Sequence, residues 1–115
     1  MAVNGSTAQT CKAGARCEFG LLVTNTGGAV DTLLVSVVQQ GLWGAQLCRQ
    51  DGVCASSNLT LMGVGPSNTA YITVRADVPA DAAGRNSNYG FQAVSSGSNG
   101  SVSSSVLNVE VKAEP

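Results

Sequence analysis

Apolar residues recur at every second position through most of this chain, and Gly, Asn, Ser and Pro punctuate the runs. Period two marks half-buried β-strands, and no run between the turn signals carries a helical repeat. The first strand expected is Glu18 to Asn25, with Phe19, Leu21 and Val23 on one face and Glu18, Leu22 and Thr24 on the other. Asn25-Thr26-Gly27-Gly28 breaks it; Asn25 and Gly27 suit a turn that visits left-handed backbone angles. Asp31 to Gln39 is next, with Leu33, Val35 and Val37 inward and Thr32, Leu34, Ser36 and Val38 outward. That outward face is apolar enough to be partly covered. Gly41 to Leu47 follows, with Trp43 and Leu47 toward the core, then a short strand at Asn58 to Met62 and a turn at Gly65-Pro66-Ser67-Asn68.

The clearest alternation is Ala70 to Val78, where Ile72, Val74, Ala76 and Val78 interleave with Tyr71, Thr73, Arg75 and Asp77. One face is dry and one wet, which fixes register, because a one-residue slip inverts every side chain. Pro79 ends the strand, and Ala80 to Asn88 reads as a crossing loop. Tyr89, Phe91 and Ala93 define a further strand, closed by the small polar run from Ser95 to Ser101; Val102 to Val111 is the last. Residues 1–10 form an N-terminal arm or first strand, and 112–115 a linker or tail. Six or seven short strands without helices imply two antiparallel sheets packed face to face. The expectation is an all-β, immunoglobulin-like sandwich of Greek-key type and about seven strands, with a closed barrel as the alternative. Its structural core is Phe19, Leu21, Val23, Trp43, Ile72, Val74, Tyr89 and Phe91. Trp43 resembles the core tryptophan of such sandwiches, and Tyr89 fits a tyrosine corner.

Composition narrows this further. The 115 residues suffice for one domain, and only 11% are charged, about half the share in an average soluble domain. Disorder fits badly, because 43% of residues are apolar and lie in regular runs. The cations Lys12, Arg16, Arg49, Arg75, Arg85 and Lys112 are scattered, so no patch exists to neutralise phosphates, and aromatic residues are too few for base stacking. Nucleic acid is therefore excluded as a partner, and no apolar run approaches the ~20 residues that span a bilayer. Met1 leads into polar Asn4-Gly5-Ser6 rather than an apolar run, so no signal peptide is visible. Either a signal has been removed or export follows another route, and Met1 itself fits a cloning start.

Four cysteines form two Cys-x5-Cys pairs around turn-like segments, the second containing Asp51-Gly52. Local disulfides Cys11–Cys17 and Cys48–Cys54 are the simplest of three connectivities. Each seven-residue loop would contribute roughly 2–2.5 kcal/mol in the chain-entropy model. A four-cysteine zinc site is the rival, although its ligands usually stand two to four residues apart; free thiols are the third reading. Disulfides imply an oxidising, extracellular setting.

Read in order, several segments carry a resemblance. Phe19-Gly20-Leu21-Leu22-Val23-Thr24-Asn25-Thr26-Gly27 followed by Asp31-Thr32-Leu33 resembles the V-T-N-T-G … D-T signature of NEW3-type, or alpha-galactosidase-associated, immunoglobulin-like domains. Gly41-Leu42-Trp43-Gly44-Ala45-Gln46-Leu47 is similar to that family's G-W-x-x-x-L segment, and Gly65-Pro66-Ser67 to its Pro-Gly-Ser turn with two residues reversed. Ala76-Asp77-Val78-Pro79-Ala80-Asp81-Ala82-Ala83-Gly84 resembles its V-x-V-P-x-x-A-x-x-G stretch, and Tyr89 to Ser95 its late strand. The resemblance covers most of residues 17 to 111; the two cysteine loops lie outside the family pattern. It implies an extracellular sandwich of secreted prokaryotic proteins that acts as a spacer or accessory module and carries no catalytic residues.

Chemistry is scarce. No histidine is present, which excludes Ser-His and Cys-His nucleophile pairs. Asp77 and Asp81, near a strand end, are the one candidate for a weak calcium site, against the plainer reading of an exposed turn. Asn4-Gly5-Ser6, Asn58-Leu59-Thr60 and Asn99-Gly100-Ser101 are glycosylation sequons of the kind that arise by chance in such a chain. No cofactor, metal or catalytic residue is implied, and the chain reads as no enzyme. Three roles compete: a structural or accessory module of a larger secreted or cell-surface protein, a subunit of a filament or virion surface that pairs sheet edges through its N-terminal arm, and a carbohydrate-binding module using outward Tyr71. The partners are neighbouring domains or subunits, or a glycan, and the chain is a monomer unless it is an assembly subunit. Whether outward Leu22, Leu34 and Val38 form one interface patch is left to the structure.

Overall fold

The computed structural model describes residues 1–96 and 102–115. Its described residues form ten strands: β1 (Ala2–Asn4), β2 (Ala8–Lys12), β3 (Arg16–Thr24), β4 (Asp31–Gln39), β5 (Ala45–Arg49), β6 (Cys54–Ala55), β7 (Asn58–Val64), β8 (Thr69–Asp77), β9 (Asn86–Ser95) and β10 (Leu107–Glu114). They make two five-stranded sheets, one ordered β1-β3-β8-β5-β6 and the other β2-β10-β9-β4-β7. All pairings are antiparallel except β2 with β10. This is the expected immunoglobulin-like sandwich.

Alternation explains the core. Phe19, Leu21 and Val23 of β3 and Ile72, Val74 and Ala76 of β8 are buried from one sheet. Leu33 and Val35 of β4, Tyr89, Phe91 and Ala93 of β9 and Val109 and Val111 of β10 meet them from the other. Phe19 and Phe91 touch edge to face across the layers with ring centres 6.1 Å apart, and Tyr89 stacks on Phe91 at 6.3 Å. Trp43 and Leu47 are buried with them.

The structure departs from the sequence expectation at several strand ends. The N-terminal segment is not free: Ala2–Asn4 pairs with β3, and Ala8–Lys12 lies parallel to β10. The chain changes sheets at Gly5, where a Cβ would stand 3.1 Å from the Gly20 carbonyl and 3.3 Å from Leu21. The arm is therefore paired within its own domain, supplying the edge strand of each sheet. Strand β9 begins at Asn86 rather than Tyr89, because inward-facing Ser87 hides the alternation; its hydroxyl accepts the Leu42 N–H at 2.7 Å. Strand β10 begins at Leu107 rather than Val102, since Ser104 replaces the ladder there: its N–H donates to Ala93 O at 2.8 Å and its hydroxyl accepts from Ala93 N at 2.9 Å.

At the other end β10 runs on to Glu114 with Ala113 buried, so Lys112–Glu114 belong to the sheet and not to a linker or tail. The segment between Cys48 and Cys54 is a tight hairpin linking β5 and β6, with the two cysteines directly opposite. Left-handed backbone occurs at Gly14, Gly52, Gly63, Gly84 and Ser67, not at Asn25 or Gly27.

Candidate functional site

The candidate chemistry of the sequence is absorbed into holding the sandwich together. Asn25 is fully buried. Its Nδ2 donates to the Ala29 and Val64 carbonyls, both at 2.8 Å, and its Oδ1 accepts the Gly27 N–H at 2.9 Å. Its backbone N–H donates to Asn68 O at 3.0 Å, and its carbonyl accepts from Ser67 at 2.8 Å. The side chain thus ties the turn after β3 to the end of β7, and the backbone of the same residue ties it to the turn before β8. Tyr89 does similar work at the opposite end: its hydroxyl donates to the Trp43 carbonyl, fixing the crossing from β4 to β5. Burial pushes the Tyr89 phenol above its ordinary range, against the hydrogen bonds of Ser87 and Trp43, which pull it down. Gly41 is needed beside it, since a Cβ there would fall 1.8 Å from Ser87 Oγ and 2.8 Å from Tyr89 Cζ.

The two cysteine pairs are joined as Cys11–Cys17 and Cys48–Cys54, with Cα separations of 5.5 and 4.0 Å. They do different jobs. Cys11 lies on β2 and buried Cys17 on β3, so that bond staples one sheet to the other. Cys48–Cys54 clips two-residue β6 to the edge of β5. Arg49, which sequence reasoning passed over, finishes this corner. Its guanidinium grips Asp51 through Nε at 3.1 Å and Nη2 at 3.0 Å, and Nη1 donates to the Thr60 carbonyl of β7 at 3.0 Å. The Arg49 hydrogen bond, with help from the Val53 N–H, holds the Asp51 carboxyl below its usual range. The signal lay in the Arg-x-Asp-Gly turn, where the aspartate caps the loop and the arginine returns to it.

The remaining candidates disperse. Asp77 pairs with Arg16 at 3.3 Å on the outer face of β3 and β8, and Asp81 lies exposed beyond Pro79. Among the described residues no three His, Cys, Asp or Glu side chains come together to hold a metal ion. Glu18 stands 3.7 Å from Arg75, so that face carries a small ladder of alternating charge. The groove beside it, lined by Arg16, Gly44, Gln46, Arg75 and Asp77, holds about 180 Å³, below the roughly 300 Å³ at which ligand pockets begin. Tyr71 faces outward and is 44% exposed, but its ring lies against Gly20, where a Cβ would meet its hydroxyl at 2.4 Å. The ring covers a glycine in the neighbouring strand. Leu22 lies beside Tyr71 on the first sheet, whereas Leu34 and Val38 belong to the second, so the three form no common patch. Asn4 and Asn58 of the sequons are exposed; Asn99 lies outside the described residues.

No protein-family model matches this chain, and no curated protein matches it in sequence. Solved structures do match in shape. The N-terminal domain of PorA superposes with a TM-score of 0.70 at 15% identity, over 96% of this chain and 89% of that one. A family 123 glycoside hydrolase from Clostridium perfringens gives 0.61 at 7% identity; 95% of this chain matches only 23% of the hydrolase. The PapD-like domain 7 of human CEP192 gives 0.52 at 9% identity, over 97% of this chain and 82% of that domain. At such identities the likeness establishes the β-sandwich fold, and function has to be argued from the surface.

Proposed function

We propose that this chain is a non-catalytic, disulfide-stapled immunoglobulin-like module that works outside the reducing cytoplasm, as a spacer or interaction domain of a larger secreted or cell-surface protein. The observation that carries the reading is the use of its polar residues. Asn25, Tyr89, Arg49, Asp51 and Asp77 all serve the fold, and both cysteine pairs are disulfides. Disulfides persist in oxidising compartments and supply stability that a modest core lacks. The ordered motifs of residues 17–111 support placing it as a divergent relative of the NEW3-type domains, with the cysteine loops as its own addition.

The test combines thiol trapping with affinity gels. Alkylation before cell lysis should leave all four cysteines unmodified, and migration in native gels should be unchanged by embedded polysaccharides. Retardation that disappears in Tyr71→Ala would replace this reading with glycan binding. Four alkylated thiols would remove the extracellular assignment.

A further inference from the structure

The chain enters and leaves the sandwich at opposite ends. Ala2 lies beside Thr24, the last residue of β3, and Glu114 lies beside Lys12, close to where β3 starts at Arg16. The 9 residues of β3, at ~3.4 Å each, put these two ends roughly 30 Å apart. Between them β2 lies parallel to β10 through five residue pairs, from Ala8 with Glu110 to Lys12 with Glu114. At one end of this ladder the Glu110 N–H donates to Thr7 O at 2.9 Å, and at the other the Ala13 N–H donates to Glu114 O at 2.8 Å. Backbone groups alternate along a strand, so Thr7, Gln9, Cys11 and Ala13 turn theirs toward β10, while Ala8, Thr10 and Lys12 turn theirs away. The outward carbonyls of Ala8 and Lys12 are taken by Ser6 Oγ at 2.8 Å and by Ala15 N at 3.3 Å. One residue before the end of β2, Cys11 is bonded to Cys17 of β3, whose nine residue pairs with β8 form the longest ladder among the described residues.

We infer that this domain bears tension between its two ends, with the β2–β10 ladder as the element that resists it. This role rests on the reading of the chain as a module of a larger protein and says what such a module withstands. Neighbours attached at the two ends pull Ala2 and Glu114 apart along the strands. β2 is then drawn toward the Thr24 end and β10 toward the other, so the two slide past one another and every bond between them is strained at once. Opening the same ladder from one end strains its bonds one at a time. β1 adds its three pairs with β3 to the sliding direction. β10 is also held by six pairs with β9, whereas β2 is an edge strand with a partner on one side only, so β2 is the strand that yields first. Its slide is limited by a covalent bond: stripping β1 and β2 frees residues 1–10 and then delivers the load through Cys11 to Cys17 on β3. The force at which the domain opens follows the barrier to this first rupture rather than its overall stability.

The experiment is single-molecule pulling on the oxidised domain in two directions. Loaded through its two ends, the domain should open at a force at least about threefold higher than when it is loaded between residue 12 and the C-terminus, because those two points sit at the same end of the ladder and part its bonds singly. Gln9→Pro removes a ladder N–H and should lower the end-to-end force by at least about a third; Thr10→Pro, whose N–H points away from β10 on an edge strand, should leave it within about a tenth of the wild-type force. The comparison of directions leaves every residue that bonds β10 intact, so it tests the inference whether or not Gln9→Pro folds. Equal forces in the two directions, an end-to-end force that Gln9→Pro leaves unchanged, or one that Thr10→Pro lowers as far would each overturn the inference. None of these would touch the module reading, which fails instead on reduced cysteines or on a glycan ligand.

Discussion

Replacing Asn25 with alanine deletes three hydrogen bonds made by a side chain that is itself fully buried. The Val64 carbonyl is buried and keeps no side-chain donor, while the Ala29 carbonyl and the Gly27 N–H are half-buried and partly recover water. A stranded buried acceptor costs about 1–3 kcal/mol, and each half-buried loss about 0.5–1 kcal/mol. The substitution should therefore destabilise the domain by about 3 kcal/mol. For 115 residues the unfolding entropy is roughly 240 cal/mol/K, so each kcal/mol shifts Tm by about 4 °C and the whole effect by about 12 °C. Urea unfolding followed by Trp43 fluorescence reads it, with the disulfides intact and the denaturant slope unchanged. Asn25→Asp separates geometry from hydrogen bonding. Its carboxylate keeps the bond from Gly27 but faces two carbonyls, so at neutral pH it should do no better than alanine. Protonation restores one donor; the folded state then holds its proton more tightly than the unfolded chain, and stability should rise as pH falls. A loss below about 1 kcal/mol for Asn25→Ala would refute the claim that this side chain ties the turn after β3 to the end of β7.

Other substitutions separate the same account into parts. Gly41→Ala drives a methyl into buried Ser87 and Tyr89 and should cost about 3 kcal/mol, whereas Gly20→Ala meets only the exposed Tyr71 ring, which can swing away, and should cost about 1 kcal/mol or less by the same unfolding assay. Tyr89→Phe strands the Trp43 carbonyl and should cost about 1–3 kcal/mol. Because the Tyr89 phenol is raised in the folded state, its contribution is complete below the unfolded tyrosine value near 10 and is lost as pH rises beyond it; alkaline unfolding of wild type against Tyr89→Phe shows the difference. Removing Cys48 and Cys54 together as serines should cost roughly 2–2.5 kcal/mol of loop entropy, and removing Cys11 and Cys17 more, since Cys17 is also buried between the sheets.

What could be read from the sequence was the periodic part. Strands β3, β4 and β8 alternate branched or aromatic residues with polar ones, so their extents and inward faces were visible within a residue or two. The pattern fails where an inward position is small or polar: Ser87 in β9, Ala113 in β10, and Gln9 and Cys11 in β2. Those strands are recognised only by their partners. The parallel pairing of β2 with β10 joins residues about a hundred positions apart, which no local signal encodes. Asn25 illustrates the limit. Asn-Thr-Gly-Gly announces a turn, yet its decisive bond runs to Val64, 39 residues on. The cysteine spacing suggested two local loops, but that one of them joins the sheets follows only from where β2 and β3 lie. Tyr71 pointed outward as alternation demanded; that it covers Gly20 is a cross-strand fact.

The most direct test is to map the cysteine bonds in protein alkylated before lysis and then cut, unreduced, with trypsin and a Glu-specific protease. Cleavage after Lys12, Arg16, Glu18 and Arg49 places each cysteine on a separate peptide. The account predicts that residues 1–12 are linked to 17–18 and 19–49 to 50–75, with no alkylated thiol. A link from 1–12 to 19–49, or four alkylated cysteines, would contradict a sandwich stapled across its sheets and kept outside the reducing cytoplasm.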